Sequence, residues 1–391
     1  MRPLPATALA AVLIASTLAG CDAAGDDPVA GGEIVIAADL ELSGADASVG
    51  QGYERALRLR VEQLNASGVT GGRTVRLVVK DNRSDPAESL RNIQDFVADR
   101  SISGVIMGAC DECAVGAAKT LNEKGLTAIS LGAASAVTTP VTERRFVFKL
   151  GPNAADNASS LAAELRRLRL KKIALLHTTD GYGIDGRDAL TREIDKGGMK
   201  LEAQKGVKPT QTDLESALAE LTETTTDALV VWAGAEQAAI AANWAAEEKY
   251  PGTVLFDAAA AGDLFLGGDT RTPDGTTMVF TQTMVIDDVI ATTPAKAARK
   301  AWFRDYTARY GSYYGFASFA ADALHLLTDA TLRAGGAEGA PDRAGIRDLV
   351  ETSQLDGLSG PIRMTPDNHS GLMPQSLTML VARSGRWRLA G

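Results

Sequence analysis

Two cysteines flank two acidic residues in one short segment, Cys110-Asp111-Glu112-Cys113. The following residues, 114–124, have a helical pattern, and a CxxC pair at the start of a helix can have a lowered thiol pKa. Asp111 and Glu112 oppose that effect, because nearby negative charges raise a thiol pKa. Outside the cytoplasm such a pair can also form a structural disulfide. The sequence therefore leaves three states open for this pair: a disulfide, two packed thiols, or redox or metal chemistry.

The other residues that could do chemistry do not form a catalytic motif. The histidines His177, His325 and His369 are scattered, and no second cysteine pair completes a zinc site. The chain has no GxxxxGK[ST] loop, GxSxG elbow or HExxH segment, and Gly50-Gln51-Gly52 lacks the third glycine of a dinucleotide fingerprint. We therefore expect a protein that is not an enzyme and that has no cofactor or metal ion.

The composition indicates a globular protein and argues against nucleic-acid binding. The chain has 391 residues, of which 45% are hydrophobic and 23% charged, as is typical of globular proteins large enough for two domains. Its formal net charge is −9, and it lacks a tract of lysine and arginine. Because nucleic-acid binding depends on positive charge, we expect no nucleic-acid partner.

The first 21 residues are typical of an export signal. Arg2 precedes an apolar run, Ala6–Ala19, which is shorter than the ~20 residues needed to span a bilayer. The run ends in Leu18-Ala19-Gly20-Cys21, which looks like a bacterial lipobox. We expect residues 1–21 to be a lipoprotein signal peptide, Cys21 to be lipidated and 22–32 to be a flexible tether. The alternatives are an ordinary signal peptide with a chance cysteine, or a membrane anchor.

The rest of the chain alternates strands with amphipathic helices. Strands are predicted at 33–40, 74–80, 103–107, 127–131, 146–150, 172–177, 201–206, 228–232, 253–256, 278–284, 361–364, 377–382 and 387–390. Helices are predicted at 52–66, from 85, and at 114–124, 154–168, 186–196, 213–221, 235–249, 294–310, 319–334 and 343–351. This alternation predicts an α/β fold with parallel sheets covered on both faces. The pattern restarts near residue 150, which predicts two lobes with a ligand cleft between them.

Short segments spread over the chain carry a resemblance by their order and spacing. They are Leu42-Ser43-Gly44, Gly50, Asn65, Gly71-Gly72-Arg73, Asp81, Asp85-Pro86, Gly125-Leu126, Ile129-Ser130, Asp180-Gly181-Tyr182-Gly183, Ala321-Asp322-Ala323 and Gly357–Pro361. Together they resemble the type I periplasmic binding proteins of branched-chain amino-acid ABC transporters. The resemblance covers nearly all of residues 33–391. It implies two doubly wound parallel-sheet lobes joined by a three-strand hinge. Lobe one would comprise 33–150 and 285–356, lobe two 151–284 and 357–391, with crossovers near Leu150–Pro152, Thr281–Val285 and Gly357–Pro361.

The resemblance also implies a function. We expect a monomeric, extracytoplasmic solute-binding lipoprotein of an ABC importer, held by its lipid at the outer face of the cell membrane or in the periplasm. It would capture a small polar metabolite, such as an amino acid, by hinge closure, and deliver it to an ABC permease in the membrane. The alternative on the same scaffold is a ligand-sensing lipoprotein that signals to a receptor.

Ligand residues on lobe one are implied by the same resemblance. Ser43 lies in the first shared segment, and Ala133 and Ser135 follow the fourth strand, where the family holds a ligand carboxylate; a plain tight turn is the alternative. Asp111 stands near a family serine that helps to hold that carboxylate. Because a carboxylate at a helix N-terminus satisfies the free amides itself, we predict a preference for cationic, neutral or amide-bearing ligands over Leu, Ile or Val. In the alternative, Asp111 and Glu112 point to solvent as ordinary caps.

On lobe two the resemblance implies three further ligand residues. Tyr182 matches a tyrosine that closes over the ligand, although it is alternatively a structural loop residue. Asp257 aligns with an acidic residue that holds the ligand ammonium; its alternative role is to cap the helix that follows. Val49 replaces an aromatic residue common in the family, and Trp232 would supply that stacking surface unless it packs in the core.

Overall fold

The computed structural model describes residues 31–262, 272–336 and 340–390. Its strands are β1 (Gly31–Leu40), β2 (Arg73–Asp81), β3 (Ile102–Met107), β4 (Thr127–Ser130), β5 (Val147–Lys149), β6 (Lys172–Thr178), β7 (Lys200–Val207), β8 (Ala228–Trp232), β9 (Thr253–Phe256), β10 (Thr277–Thr281), β11 (Gln354–Asp356), β12 (Pro361–Arg363), β13 (Leu377–Arg383) and β14 (Arg386–Leu389). Its α-helices are α1 (Ala47–Ser67), α2 (Pro86–Ala98), α3 (Asp111–Lys124), α4 (Ala154–Arg167), α5 (Gly181–Lys196), α6 (Glu215–Thr222), α7 (Ala235–Glu247), α8 (Pro294–Tyr310), α9 (Ala317–Ala334) and α10 (Arg343–Glu351).

The first sheet has the order β2-β1-β3-β4-β5, and all of its neighbouring strands are parallel. Alternate residues of β1 face opposite sides. Ile34 and Ile36 pack into the core that includes α1 and α9, whereas Val35 and Ala37 pack against α2 and α3. Both faces of the sheet are therefore covered by helices, as the apolar strands predict.

The second sheet has the order β14-β13-β10-β9-β8-β6-β7. The strands from β10 to β7 are parallel to their neighbours, and β13 and β14 add an antiparallel edge. Leu175 and Val230 pack against α4 and α5, whereas Leu176 and Val231 face the core that includes α6 and α7. The predicted fold class, two parallel-sheet α/β lobes, is confirmed.

Over the residues that the structure describes, the chain passes between the two sheets three times. It leaves the first sheet after β5, returns after β10 to form α8, α9 and α10, and leaves again after α10 for β13. The second passage differs from the predicted strand 278–284: β10 ends at Thr281, and Gln282–Asp288 form 3₁₀ turns with a kink at Val285. The third passage includes a small hairpin of β11 and β12. Its short strands have too few residues to show alternation in the sequence.

Helices α3 and α5 are among those that begin earlier than the sequence predicts. Helix α3 begins at Asp111, and α5 begins at Gly181. In each case the preceding side chain accepts a hydrogen bond from an amide of the first turn: the Cys110 sulfur from Cys113, and the Asp180 carboxylate from Gly183. Such caps stabilise the first turn. They place Asp111 and Tyr182 on helical turns at the ends of β3 and β6.

Candidate functional site

The predicted ligand residues lie at the carboxyl ends of the parallel strands. These ends are called the first edge in the first sheet and the second edge in the second sheet, and they face each other between the two sheets. Ser135, after β4, donates hydrogen bonds from both its backbone N–H and its Oγ to Asp185 Oδ2 of α5, at 2.7 and 2.8 Å. Phe280 of β10 also contacts Phe316 at the start of α9, with ring centroids 5.7 Å apart. The loops at the two carboxyl edges therefore line a common cleft, and Ser135 joins its two walls.

Asp111 turns inward rather than toward solvent. Its Oδ1 accepts a hydrogen bond from the Ala134 N–H at 3.1 Å. Gly132 makes this approach possible, because a Cβ at that position would lie 2.2 Å from the same Asp111 oxygen. Burial raises the pKa of Asp111 to about 7. Its neighbour Glu112 is exposed, so only Glu112 has the solvent-facing arrangement of the alternative.

A second buried carboxylate, Glu41, holds the loop after β3. Its two oxygens accept hydrogen bonds from the N–H groups of Ala109 and Cys110, each at 3.1 Å. Asn82 donates to it as well, at 3.2 Å. Burial raises the pKa of Glu41 to about 7. Glu41 is not among the residues predicted from the sequence, although an acidic residue directly after a buried strand was a usable signal.

Ser43 is held by a third carboxylate of the same edge. Asp81 Oδ2 accepts a hydrogen bond from Ser43 Oγ at 2.6 Å, and Asp81 Oδ1 accepts from the N–H groups of Leu42 and Ser43 at 3.0 and 3.1 Å. Ser43 therefore lies at the predicted edge, but its hydroxyl and amide both have partners within the first sheet's loops.

Lys149 is a buried cation at this edge, and its ammonium group also has hydrogen-bond partners. Its Nζ donates to Asn153 Oδ1 at 2.9 Å, to the carbonyl of Ala133 at 3.0 Å and to that of Gly151 at 3.4 Å. Burial lowers the pKa of Lys149 to about 8. A cavity of about 690 Å³ lies beside it, bordered also by Ser135 and Asp185.

At the carboxyl ends of the second sheet's strands, the second edge, some buried polar atoms have no hydrogen-bond partner within the part of the chain that the structure describes. Asp257 is 0% exposed; its Oδ2 accepts from the Ala259 N–H at 3.0 Å, while Oδ1 has no partner among the described residues. Burial raises the pKa of Asp257 to about 8. Asp257 therefore caps the following turn, which is the alternative role predicted for it, and its carboxyl is fully buried beside the backbone N–H groups of Ala259 and Ala233.

Tyr182 and Trp232 lie together at this edge. Their ring centroids are 6.1 Å apart, and neither the Tyr182 hydroxyl nor the Trp232 Nε1 has a partner in the described part of the chain. Trp232 is 0% exposed and lies beneath α5, where a Cβ on Gly186 would come within 2.0 Å of the indole. This position corresponds to core packing, the alternative to a stacking surface for a ligand.

Negative charges face one another across the cleft. The pKa of Asp46, before α1, is raised by partial burial and then by the charges of Asp180 on the second edge and Glu112 on the first. Asp180 and Glu112 also raise the pKa of Asp111. Positive charge lies close by as well, because Lys149, Arg192 and Arg363 line the cavity beside these residues and Lys149 lowers the pKa of Asp111.

Cys110 and Cys113 form a disulfide in this structure, the first of the three states that the sequence left open. The bond spans the first turn of α3, directly beside the amides that Glu41 accepts from. The histidines lie apart, and within the described ranges no cluster of three or more His, Cys, Asp or Glu side chains is arranged to hold a metal ion.

A family model described as "Periplasmic binding protein" matches residues 33–385. The chain belongs to the periplasmic binding protein family. The resemblance seen in the sequence is thereby confirmed. The family is one of solute-binding proteins rather than enzymes, and membership implies an extracytoplasmic location.

Curated relatives of this binding protein include an "Amino acid binding protein" from Pseudomonas aeruginosa, 26% identical over 193 residues, which are 48% of this chain and 50% of the relative. The chain thus spans about half the length of the curated relatives it matches. An extracellular ligand-binding receptor from Rhodopseudomonas palustris HaA2 has a TM-score of 0.81 at 22% identity, covering 92% of this chain and 99% of that one. The substrate-binding protein LivJ from Streptococcus pneumoniae, solved with isoleucine, has a TM-score of 0.76 at 21% identity, covering 91% and 97%. These two likenesses show the fold.

The predicted lipidation site of this binding protein, Cys21, the signal peptide 1–21 and nearly all of the tether 22–32 lie outside the described residues. Of the helices described, none combines the length and apolar character needed to cross a membrane.

Proposed function

We propose that this binding protein is the solute-binding lipoprotein of an ABC importer and captures a small polar metabolite, an amino acid or a related compound, in the cleft between its two sheets. The observation that carries this proposal is the pair of hydrogen bonds from Ser135 to Asp185 in a member of a solute-binding family. These bonds join opposite walls, so they form only when the walls come together.

The lobes that move would be 33–150 with 285–356 and 151–284 with 357–391. Side-chain contacts hold the third passage between them. Asp322 accepts hydrogen bonds from the N–H groups of Leu358 and Ser359, both at 2.8 Å, and Thr283 Oγ1 donates to the Leu358 carbonyl at 2.5 Å. Fixed contacts at this passage favour rotation of rigid lobes over bending within them. A ligand closes the lobes only as far as it binds the closed form more tightly than the open form.

Asp257 and Tyr182 would hold the ligand from lobe two. The unpartnered Asp257 oxygen is an acceptor for a ligand ammonium, because a buried carboxylate is stabilised by a cation. Tyr182 offers an apolar ring and a hydroxyl that lacks a partner among the described residues. Lipidated Cys21 and the tether would keep the loaded protein near a membrane permease, which would recognise the closed lobes.

A screen of the purified protein against a metabolite panel tests this proposal. A true ligand at about 100 times its Kd is expected to add about 2.7 kcal/mol to the free energy of unfolding. The same ligand is expected to lower the radius of gyration in X-ray scattering, because the lobes close. Stabilisation without any change in the radius would contradict hinge closure, and chemical turnover of the ligand would contradict a pure binding role.

A further inference from the structure

The cavity of about 690 Å³ that Ser135 borders lies apart from the position proposed for the solute. Of the predicted ligand residues, Ala133 and Ser135 border it, whereas Asp257 and Tyr182 do not. It is also bordered by α5, by the start of α4 and by residues 363–374 of the third passage. Because small-molecule sites are typically clefts of about 300–1,000 Å³, this cavity has the size of a binding site of its own.

Two arginines at this cavity have no internal partner. Arg192 lies on α5 and Arg363 at the end of β12, and both residues are exposed. Neither guanidinium group forms a hydrogen bond or an ion pair with any of the described residues. By contrast, Arg187 of the same helix does not border the cavity and donates to Asp188 Oδ1 at 2.8 Å. The N–H groups of Arg192 and Arg363 are therefore available to a ligand, and their planar arrangement fits a carboxylate.

The buried Lys149 adds a third positive charge to the border of the cavity. It is 1% exposed, and three hydrogen bonds to protein oxygens fix its ammonium group in place. Two carboxylates border the cavity as well, but both have partners: Asp185 accepts from Ser135, and Asp156 Oδ2 accepts from Asn153 Nδ2 at 3.0 Å. Three cations and two carboxylates give this border a net positive charge, in a chain whose formal net charge is −9. The border therefore attracts a negatively charged ligand.

The other residues at the border favour an organic anion over an inorganic ion. Leu372, Met373 and Pro374 of the third passage and Ala189 of α5 supply apolar surface. A phosphate ion would fill only a small part of the cavity and would leave that apolar surface in contact with water. The cavity is therefore suited to a molecule that has both a carbon skeleton and an acidic group.

We infer that this cavity is a second binding site of this binding protein, and that it takes a small organic acid whose negative charge is balanced by Arg192 and Arg363. The inference goes beyond the proposed function, because Asp257 and Tyr182, the residues proposed to hold the solute, take no part in this site.

Calorimetry at constant ionic strength tests the inference with matched acids and amides. The pairs are benzoate and benzamide, phenylacetate and phenylacetamide, and succinate and succinamide, and the members of each pair differ in charge. We expect the acid to bind at least tenfold more tightly than its amide in at least one pair. No such preference in any pair would overturn the inference, and inorganic phosphate that binds as tightly as the best acid would overturn the organic class. Either failure leaves the solute-binding function standing, because that function is tested with the metabolite panel.

Arginine variants assign the effect to the cavity. Arg192→Gln and Arg363→Gln are each expected to weaken acid binding at least fivefold, because each removes one positive charge from the border. Both residues are exposed and lack partners among the described residues, so both variants are expected to fold, which circular dichroism verifies. Arg187→Gln removes the same charge from α5 away from the cavity, and acid affinity is expected to stay within twofold.

Two results with these variants would contradict the inference. An acid affinity that is unchanged in both Arg192→Gln and Arg363→Gln would show that the acid does not bind in this cavity. A solute from the metabolite panel that loses affinity in the same two variants would place solute and acid in one site, and a second site would then be excluded.

Discussion

The two edges that face each other across the cleft are built from the same kinds of residue and are used differently. At the first edge, Glu41, Asp81 and Asp111 each accept hydrogen bonds from loop donors of their own sheet. At the second edge, Asp257 keeps an oxygen without a partner among the described residues, and the Tyr182 hydroxyl has none there either. One wall of the cleft therefore uses its carboxylates to hold its own loops, whereas the other wall has polar atoms that can bind a ligand.

The largest effect is expected when the carboxylate charge of Asp257 at the second edge is removed. Asp257→Asn is expected to weaken binding of an amine ligand roughly a hundredfold at pH 8, because a hydrogen bond to a charged group contributes up to about 3 kcal/mol. In the wild type, ammonium binding needs the ionised form of Asp257, whose pKa burial raises to about 8. Affinity should therefore rise about 50-fold from pH 6 to pH 8, and this rise should disappear in the variant. Calorimetry at both pH values measures both effects, and an equal affinity in wild type and variant would remove Asp257 from the site.

A change at the first edge should alter the free energy of unfolding rather than the ligand affinity. Burial raises the pKa of Glu41 from 4.5 to about 7, so the folded protein retains a proton that the unfolded chain loses. The stabilising contribution is complete below pH 4.5 and is lost as the pH rises through about 7. Between pH 5 and pH 8, Glu41 should lower the free energy of unfolding by about 2 kcal/mol. Urea denaturation should show a shallower pH dependence in Glu41→Gln, whereas the exposed-site variant Glu112→Gln should follow the wild type.

The smallest effect on ligand affinity is expected from the Ser135–Asp185 contact between the two edges. Ser135→Ala removes the Oγ donor to Asp185 but keeps the backbone N–H, so the closed form should lose about 1 kcal/mol. Ligand affinity should fall severalfold, and thermal stability of the ligand-free protein should change little. Ser101→Ala is the matched control, because Ser101 Oγ donates to the Asp99 carboxylate at an exposed site within one loop. Equal affinities for the two variants would show that the bond does not stabilise closure.

Sequence patterns predicted the sheets, most helices and the positions of the candidate residues along the strands. Apolar strands alternating with amphipathic helices, as in β1 and α1, leave little freedom in fold class. The pairing of carboxylates with loop amides was out of reach, because Glu41 and Ala109 are 68 residues apart and Ser135 and Asp185 are 50 apart. Nothing local in the sequence says which distant amide a buried carboxylate meets.

Helix α5 carries both Tyr182 and Asp185, three residues apart within its first two turns. It also lies directly on Trp232, because Gly186 has no side chain to hold it away. Tyr182, which is proposed to cover the ligand, and Asp185, which accepts hydrogen bonds from Ser135, therefore move together as parts of one rigid helix. Ligand binding and formation of the Ser135–Asp185 hydrogen bonds are therefore thermodynamically linked. The factor by which the bonds raise ligand affinity equals the factor by which the ligand favours the bonds.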